Sequence, residues 1–433
     1  MIAVITAGGK GTRLTSVASD IPKPMVRVAG KPILERQIEC LKESGVTDVY
    51  FLIGHLGHVI KDYFGDGSSF GIRAHYIEEP EPLGSAGALA CLRETINEDF
   101  LFVFGDLVLD IDFVRMMAFH KEHKASITLL AHPNSHPFDS DLIVSAPDGL
   151  VVGIDSKYNV RDYFYHNLVN AGVYVLSPNV LHAYFGAPQK VDFEKDIVLP
   201  EIQRQSVYAY RSTEYVKDAG TPDRYQSVCE DVESGIVRAE NLKNPQKAIF
   251  LDRDGTINKY KGFIRNLADI ELEEKAATGL KQINRSEYLA IVITNQPVIA
   301  RGEVTESELQ GFHNKIETLL GKEGAYYDDL FYCPHHPDKG FEGEVKELKI
   351  DCDCRKPKIG LIKKAQEKYN IDLSKSYFVG DSTMDIQTGV NAGMKTILVQ
   401  TGNKGEDGKY PVHPDYVIDG LDEIMSVVKG DKR

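Results

Sequence analysis

Three groups of residues have the types and spacing to do chemistry. The first opens with Ala7-Gly8-Gly9-Lys10-Gly11-Thr12-Arg13-Leu14, directly after an apolar run. Glycines there let the backbone approach a phosphate chain with amide N–H groups pointing at it. The stretch is not a P-loop, because Gly11 follows Lys10 where Ser or Thr is required. Nor is it a dinucleotide fingerprint, because Leu14 stands where a third glycine belongs. An ordinary strand-to-helix turn fits the glycines alone equally well. The residues that follow favour chemistry: Lys23 is braced by Pro22 and Pro24, Gly84 and Gly87 form a second glycine pair, and Asp106 ends the apolar run Phe100–Phe104. Asp218 then precedes a tight turn at Ala219-Gly220-Thr221-Pro222. A lone carboxylate at a strand end is well placed for Mg²⁺.

The second group is Leu251-Asp252-Arg253-Asp254-Gly255-Thr256. Two carboxylates one residue apart repel each other, and such a pair is stable only around a cation or a shared proton. The remaining positions of a calcium loop are missing. The third group is Cys333-Pro334-His335 with Cys352-Asp353-Cys354. Four soft or borderline ligands close a tetrahedral zinc site with no open position, which implies structure rather than catalysis. Three buried thiols and a chance histidine are the bland alternative. The intervening polar, glycine-containing stretch disfavours it, because it reads as a loop with no core for thiols. His336 is a possible substitute for His335. The histidine pairs His55/His58, His120/His123 and His132/His136 have no cysteine or clustered acid beside them and read as solvated or satisfied, and Cys40, Cys91 and Cys229 as inert.

These groups need rigid elements to hold them. Short apolar runs (2–6, 49–53, 72–77, 100–104) alternate with helix-period segments such as 31–44, where Leu34, Ile38 and Leu41 share a face. The rhythm restarts at 247–251, 289–293, 377–379 and 396–399, which is the pattern of parallel sheets covered by helices. The polar stretch 238–246 separates the two series. The sequence therefore predicts an α/β protein of two Rossmann-like three-layer domains, residues 1–240 and 246–433, each able to fold alone. The 433 residues, 42% hydrophobic and 26% charged, suit such a chain. A net charge of −14 argues against nucleic-acid binding, so phosphates must be met by local glycine loops, cations and metals. No apolar run approaches membrane-spanning length and no signal peptide is recognisable, so a cytoplasmic enzyme with no membrane partner is expected.

The first group, taken in order over residues 1 to about 235, resembles the nucleoside-diphosphate-sugar pyrophosphorylase family. Within it, Thr12-Arg13-Leu14 through Ser19–Met25 and Val59–Gly67 are most similar to heptose-1-phosphate guanylyltransferases. The resemblance implies a nucleotidyltransferase fold, with Gly8, Gly9, Gly11, Thr12 and Gly84 around the nucleotide. It further implies that Arg13 neutralises departing pyrophosphate, Lys23 steadies the attacked phosphate, Asp106 and Asp218 hold Mg²⁺, and Lys157 grips the sugar phosphate. Ser156, where the family has Glu, departs from the pattern.

The second group resembles the haloacid-dehalogenase phosphatases over roughly 247–428. The resemblance implies Asp252 as nucleophile and Asp254 as acid and base, with Thr294 binding the phosphoryl group and Lys356 offsetting its charge. It implies Mg²⁺ held by Asp252, Asp254 and Asp381 with Asp385 as helper, and Asn295 and Arg355 as binding residues. A zinc loop leading into Arg355-Lys356-Pro357 is similar to that of heptose-bisphosphate phosphatases and their histidinol-phosphatase relatives. Their Ser-Gly pair is replaced here by Pro297-Val298. Together the resemblances imply removal of the distal phosphate of a heptose 1,7-bisphosphate, then nucleotidyl transfer, from GTP, onto the heptose 1-phosphate. Two alternatives stay open: a hexose-1-phosphate nucleotidyltransferase joined to a phosphatase for another small ester, and a sugar-nucleotide sensor with degenerate sites.

Overall fold

The computed structural model describes residues 1–8, 21–340 and 342–431. These form two compact units. One comprises Met1–His132, Ile143–Asp155 and Asn170–Asn241; the other comprises Pro133–Leu142, Ser156–Val169 and Leu242–Arg433. The division expected near residue 240 is thus more complicated in space. Residues 133–142 and 156–169, on the N-terminal side of that division, pack with the second unit.

The first unit is built on a nine-stranded sheet. Its centre runs Arg73–Glu78, Asp48–Ile53, Ile2–Thr6, Phe100–Phe104, all parallel, and Val169–Leu176 joins antiparallel beyond Phe100–Phe104. Ala3, Ile5, Phe51 and Val103 on one face are buried with Leu34 and Ile38 of helix Ile33–Glu43 and Phe113 of helix Phe113–His123. Val4, Leu52 and Phe102, which point to the other face, are equally buried. Strands covered on both faces read as the unbroken apolar runs that the sequence shows. The chain moves outward from Ile2–Thr6 and then returns to its other side with Phe100–Phe104. The two strands diverge in their connections there, and open α/β sheets form a ligand crevice at such a point.

The second unit repeats the plan with six parallel strands. Their order is Asp329–Cys333, Tyr288–Asn295, Lys247–Leu251, Tyr377–Gly380, Lys395–Val399, Tyr416–Ile418. Alternate residues of one strand feed two cores. Ile249 and Leu251 pack with Leu309, Phe312 and Ile316 of helix Glu306–Lys322, while Ala248 and Phe250 pack with Ile362 and Tyr369 of helix Gly360–Tyr369. The crossover point lies between Lys247–Leu251 and Tyr377–Gly380, so the next residues, Asp252 and Asp381, meet at the sheet's carboxyl edge. The polar stretch at the join has residues held in each unit separately. In the first unit Asn241 is buried and donates to Asp110 Oδ1 at 2.6 Å; in the second, Leu242 enters the core and its carbonyl accepts Asn370 Nδ2 at 3.0 Å. Among the described residues no helix is long and apolar enough to cross a membrane.

Candidate functional site

In the first unit Gly105 makes the carboxyl-edge crossing possible. A Cβ there would lie 2.4 Å from the Thr6 carbonyl oxygen, so only glycine lets the chain pass the neighbouring strand end and present Asp106. Lys23 opens a short 3-10 turn fixed by Pro22 and Pro24, and its ammonium donates to the Asp106 carboxylate. Asp218 arrives by a separate ladder in which it pairs with Leu107. Its Oδ1 accepts the Gly220 N–H at 2.9 Å and its Oδ2 accepts Arg224 Nη1 at 2.6 Å. A Cβ on Gly220 would be 2.6 Å from Asp218 Oδ1 and 3.1 Å from Lys23 Nζ, so Lys23, Asp106 and Asp218 converge on one spot. The spot is open: the side chains of Asp106 and Asp218 are 36% and 37% exposed. Two carboxylates facing one lysine form an oxygen donor set that fits Mg²⁺.

Gly8 lies just past the strand Ile2–Thr6, close against Gly54. Gly9, Gly11, Thr12 and Arg13 lie outside the described residues. Gly84, at φ +81°, approaches Val191 so closely that a Cβ would sit 2.3 Å from its carbonyl oxygen, a backbone reason for this glycine. Lys157 belongs to segment 156–169 of the second unit, where its N–H donates to Asp141 Oδ1 at 2.8 Å.

The second unit brings its residues together more tightly. Lys356 Nζ, almost fully buried, donates to Asp252 Oδ1 and Asp385 Oδ1, each at 2.6 Å. Oxygens of Asp252, Asp381 and Asp385 lie within 4.8 Å of one another. Asp381 Oδ2 accepts the Asn403 N–H at 2.6 Å and its Nδ2 at 2.9 Å, whereas Asp381 Oδ1 is buried without a partner. Burial foremost, and then the charge of Asp385, push Asp252 well above the usual carboxylate range and Asp381 up to about 7. Burial opposes the charge on Lys356, but Asp252 and Asp385 outweigh it and hold its proton more firmly than usual. Three carboxylates around one ammonium leave surplus negative charge. With the orphaned Asp381 oxygen, this all-oxygen set fits a divalent cation such as Mg²⁺.

Asp254 is not part of that cluster; the third acid is Asp385. Arg253 is buried and needs a counter-charge, and it takes Asp254, donating from Nη2 to Oδ1 at 2.7 Å and to Oδ2 at 2.8 Å. Asn258 Nδ2 at 2.9 Å and Gln296 Nε2 at 2.8 Å complete the grip. Burial alone would raise this carboxyl, but Arg253 outweighs it and holds Asp254 below its usual range. Thr294 is buried beside it and its Oγ1 accepts from the same Gln296 amide at 2.9 Å. Asn295 clasps the Lys356 backbone, accepting its N–H at 3.0 Å and donating to its carbonyl at 3.3 Å. Arg355 donates to the His335 carbonyl at 3.2 Å. Arg253, Asn258, Gln296 and Asn403 were not singled out from the sequence. The available signal was Arg253 itself, a cation between two acids at the end of a buried strand.

Cys333, His335, Cys352 and Cys354 also meet. The sulfurs are 3.2 Å apart for Cys333–Cys354 and Cys352–Cys354 and 3.5 Å for Cys333–Cys352, and His335 Nδ1 lies 3.2 Å from Cys354 Sγ. This donor set fits a closed tetrahedral zinc site. The sequence expectation that no core could hold these thiols is corrected: Cys333 ends a sheet strand and both it and Cys354 are buried in the unit's core. His336 lies outside the cluster, its Nδ1 accepting the Asp338 N–H at 3.1 Å.

Two known families match the chain, one over each half. Residues 2–235 match the nucleotidyl transferase family, and residues 353–424 match the HAD-hydrolase-like family. The D-glycero-alpha-D-manno-heptose-1,7-bisphosphate 7-phosphatase of Photorhabdus laumondii is 43% identical over 161 residues, 37% of this chain and 86% of that enzyme. The beta-anomer 7-phosphatase of Pasteurella multocida is 36% identical over 187 residues, 43% of this chain and 98% of that enzyme. Among solved structures, HddC from Yersinia pseudotuberculosis matches with a TM-score of 0.47 and 28% identity, covering 53% of this chain and 99% of its own. The chain therefore belongs to the nucleotidyl transferase family through its N-terminal half and to the family of these HAD-type 7-phosphatases through its C-terminal half, two enzyme activities on one polypeptide.

Proposed function

We propose that the protein converts a D-glycero-D-manno-heptose 1,7-bisphosphate into a nucleotide-activated heptose, with GTP as the donor. The C-terminal site removes the 7-phosphate and the N-terminal site transfers GMP to the remaining 1-phosphate, releasing pyrophosphate. The product of one site is the substrate of the other, which gives the fusion its reason. The observation that carries the reading is the buried Asp252–Lys356–Asp385–Asp381 cluster, joined with relatives that act on this bisphosphate. The 43% relative acts on the alpha anomer, which favours that anomer here. GTP rests on the guanylyltransferase-like residues 12–25 and 59–67. The reaction is assigned to the cytoplasm.

In the phosphatase, Asp252 attacks phosphorus and forms an aspartyl phosphate; Asp254, a carboxylate in the free site, must take up a proton as the substrate binds and then gives it to the departing sugar oxygen. Asp254 then takes a proton from the water that cleaves the intermediate. Lys356 offsets the phosphoryl charge and Thr294 binds the phosphoryl group. Mg²⁺, held by Asp252, Asp381 and Asp385, would neutralise charge on the phosphoryl oxygens. Zinc at Cys333, His335, Cys352 and Cys354 would fix the loop leading into Arg355 and Lys356. In the transferase the sugar phosphate is its own nucleophile, so positioning and charge carry the rate. Arg13 and Lys23 meet the phosphates, and Asp106 and Asp218 would hold Mg²⁺.

The test is product analysis after incubation with the alpha bisphosphate and each nucleoside triphosphate in turn. Inorganic phosphate, pyrophosphate and GDP-heptose in equal amounts are expected with GTP. Phosphate release without any nucleotide-sugar would sink the coupled reading.

A further inference from the structure

The grip on Asp254 continues into the protein. Arg253 spends Nη2 and Nε on Asp254, and its remaining amine, Nη1, lies 3.3 Å from His313 Nε2. Arginine can only donate, so His313 Nε2 must accept and its proton must sit on Nδ1. His313 is buried in helix Glu306–Lys322. One turn further, on the same helix face, Glu317 is buried too. Its Oε2 accepts the Asn167 N–H at 2.7 Å and pairs with His166 Nδ1 at 2.7 Å, while Thr318 Oγ1 accepts the Tyr165 N–H at 2.9 Å. Residues 165–167 belong to the second unit although they fall inside the stretch that matches the transferase family.

We infer that His313 is a positioning residue for the phosphatase, holding the Arg253 guanidinium in the one orientation that points Asp254, and that residues 165–167 fix its helix through Glu317 and Thr318. The inference rests on the reading of Asp254 as the proton donor. A guanidinium has a rigid fork, so rotating it to find another acceptor would pull both Nη2 bonds off the carboxylate. A neutral acceptor suits the place. Burial first and Arg253 second push His313 down to about 3, so it adds no charge beside the guanidinium. A positioning role is separable from a packing role in kcat/KM, which covers only the steps up to release of the alcohol and so excludes the later water attack that both esters share: there a misplaced proton donor harms only reactions that need the proton. An alkyl or sugar phosphate leaves as a basic alkoxide and needs it; an activated aryl phosphate leaves as a stable phenolate and does not.

The experiment measures kcat and KM of the full chain for p-nitrophenyl phosphate and for a sugar phosphate ester, in wild type, Asp254→Asn, His313→Leu and His313→Gln. Asp254→Asn should slow the sugar ester far more than the aryl ester. If it slows both alike, the proton-donor reading fails, and the inference with it. Given that selectivity, His313→Leu should lower kcat/KM for the sugar ester about tenfold more than for the aryl ester, a part of the ~10²–10⁴ that general acid catalysis provides. His313→Gln, which restores an acceptor, should recover most of it. Equal losses on both esters, or no recovery with Gln, would overturn the positioning role. The melting transition of the same preparations, compared with wild type, reports that the phosphatase unit is folded. If His313→Leu does not fold, His313→Asn, which keeps a polar side chain, is held to the same comparison.

Discussion

The two sites occupy the same place in two similar sheets and solve opposite problems. In both, the central strand of the sheet ends beside a strand that returns from the other side, and an acid follows the second strand: Asp106 after Phe100–Phe104, Asp381 after Tyr377–Gly380. The phosphatase site is dry and already wired, with Lys356 buried between Asp252 and Asp385. At the transferase site the acids are more than a third exposed among the described residues, Asp106 paired with Lys23 and Asp218 with Arg224. The difference follows from the chemistry. A covalent nucleophile must be held and desolvated by the protein itself. A transferase whose substrates bring both nucleophile and leaving group needs mainly room and charge. An acidic chain was expected to meet phosphates with local cations and metals, and the phosphatase cluster gathers three carboxylates about one lysine, a set that would hold a divalent cation.

The largest effects should come from breaking one site and leaving the other. Asp252→Asn removes the nucleophile and should abolish phosphate release while nucleotidyl transfer onto supplied heptose 1-phosphate continues at the wild-type rate. Asp106→Ala should do the reverse. Loss of a metal ligand worth several kcal/mol lowers transfer on the order of 100-fold or more, at about tenfold per 1.4 kcal/mol. Either change silencing both reactions in a folded chain would contradict two independent sites.

Much of this comparison was legible in the sequence because buried parallel strands advertise themselves as apolar runs and chemistry follows their ends. The run 247–251 is a strand over those residues, and helix Ile33–Glu43 lies within the expected 31–44. The pair Asp252 and Asp254 stood out by type and spacing, and Thr294, Lys356 and Asp381 were named through the resemblance to a phosphatase family. What escaped was everything that depends on side-chain direction or on distant segments meeting. Nothing in Asp252-Arg253-Asp254 says that Arg253 turns inward and takes Asp254 out of the carboxylate cluster. His313 looks like any helix residue, since only the fold brings it to Arg253. Segments 133–142 and 156–169 carry no periodicity that would assign them to the second unit.

The zinc cluster should show a smaller asymmetry. Metal analysis of the purified chain should give about one zinc per molecule, as a closed four-ligand site requires. Cys352→Ser should lose it and lower phosphatase activity by about tenfold, a typical effect of disturbing the residues that orient a site. Transfer should be unchanged, because the transferase cysteines Cys40, Cys91 and Cys229 are far apart in sequence and outside the cluster. A zinc-free wild-type chain with full phosphatase activity would return these cysteines to an ordinary buried role.

The smallest expected effect separates the two units themselves. If each folds alone, residues 1–240 and 246–433 made separately should both be soluble, but the second fragment would lack 133–142 and 156–169. Glu317 would then lose the Asn167 N–H and His166, two of the groups that hold it in the full chain. Hydrogen bonds to a charged group are worth about 1.5–3 kcal/mol. A domain of this size shifts by roughly 2–4 °C per kcal/mol, so the fragment should melt several degrees below the same unit in the full chain. The size of one substitution's effect tests the cause. Glu317→Met in the full chain removes the acceptor of the Asn167 N–H and should lower the melting temperature. In the fragment, where Asn167 and His166 are already absent, it should lower it less. An equal loss in both contexts would mean that residues 165–167 do not complete the phosphatase unit.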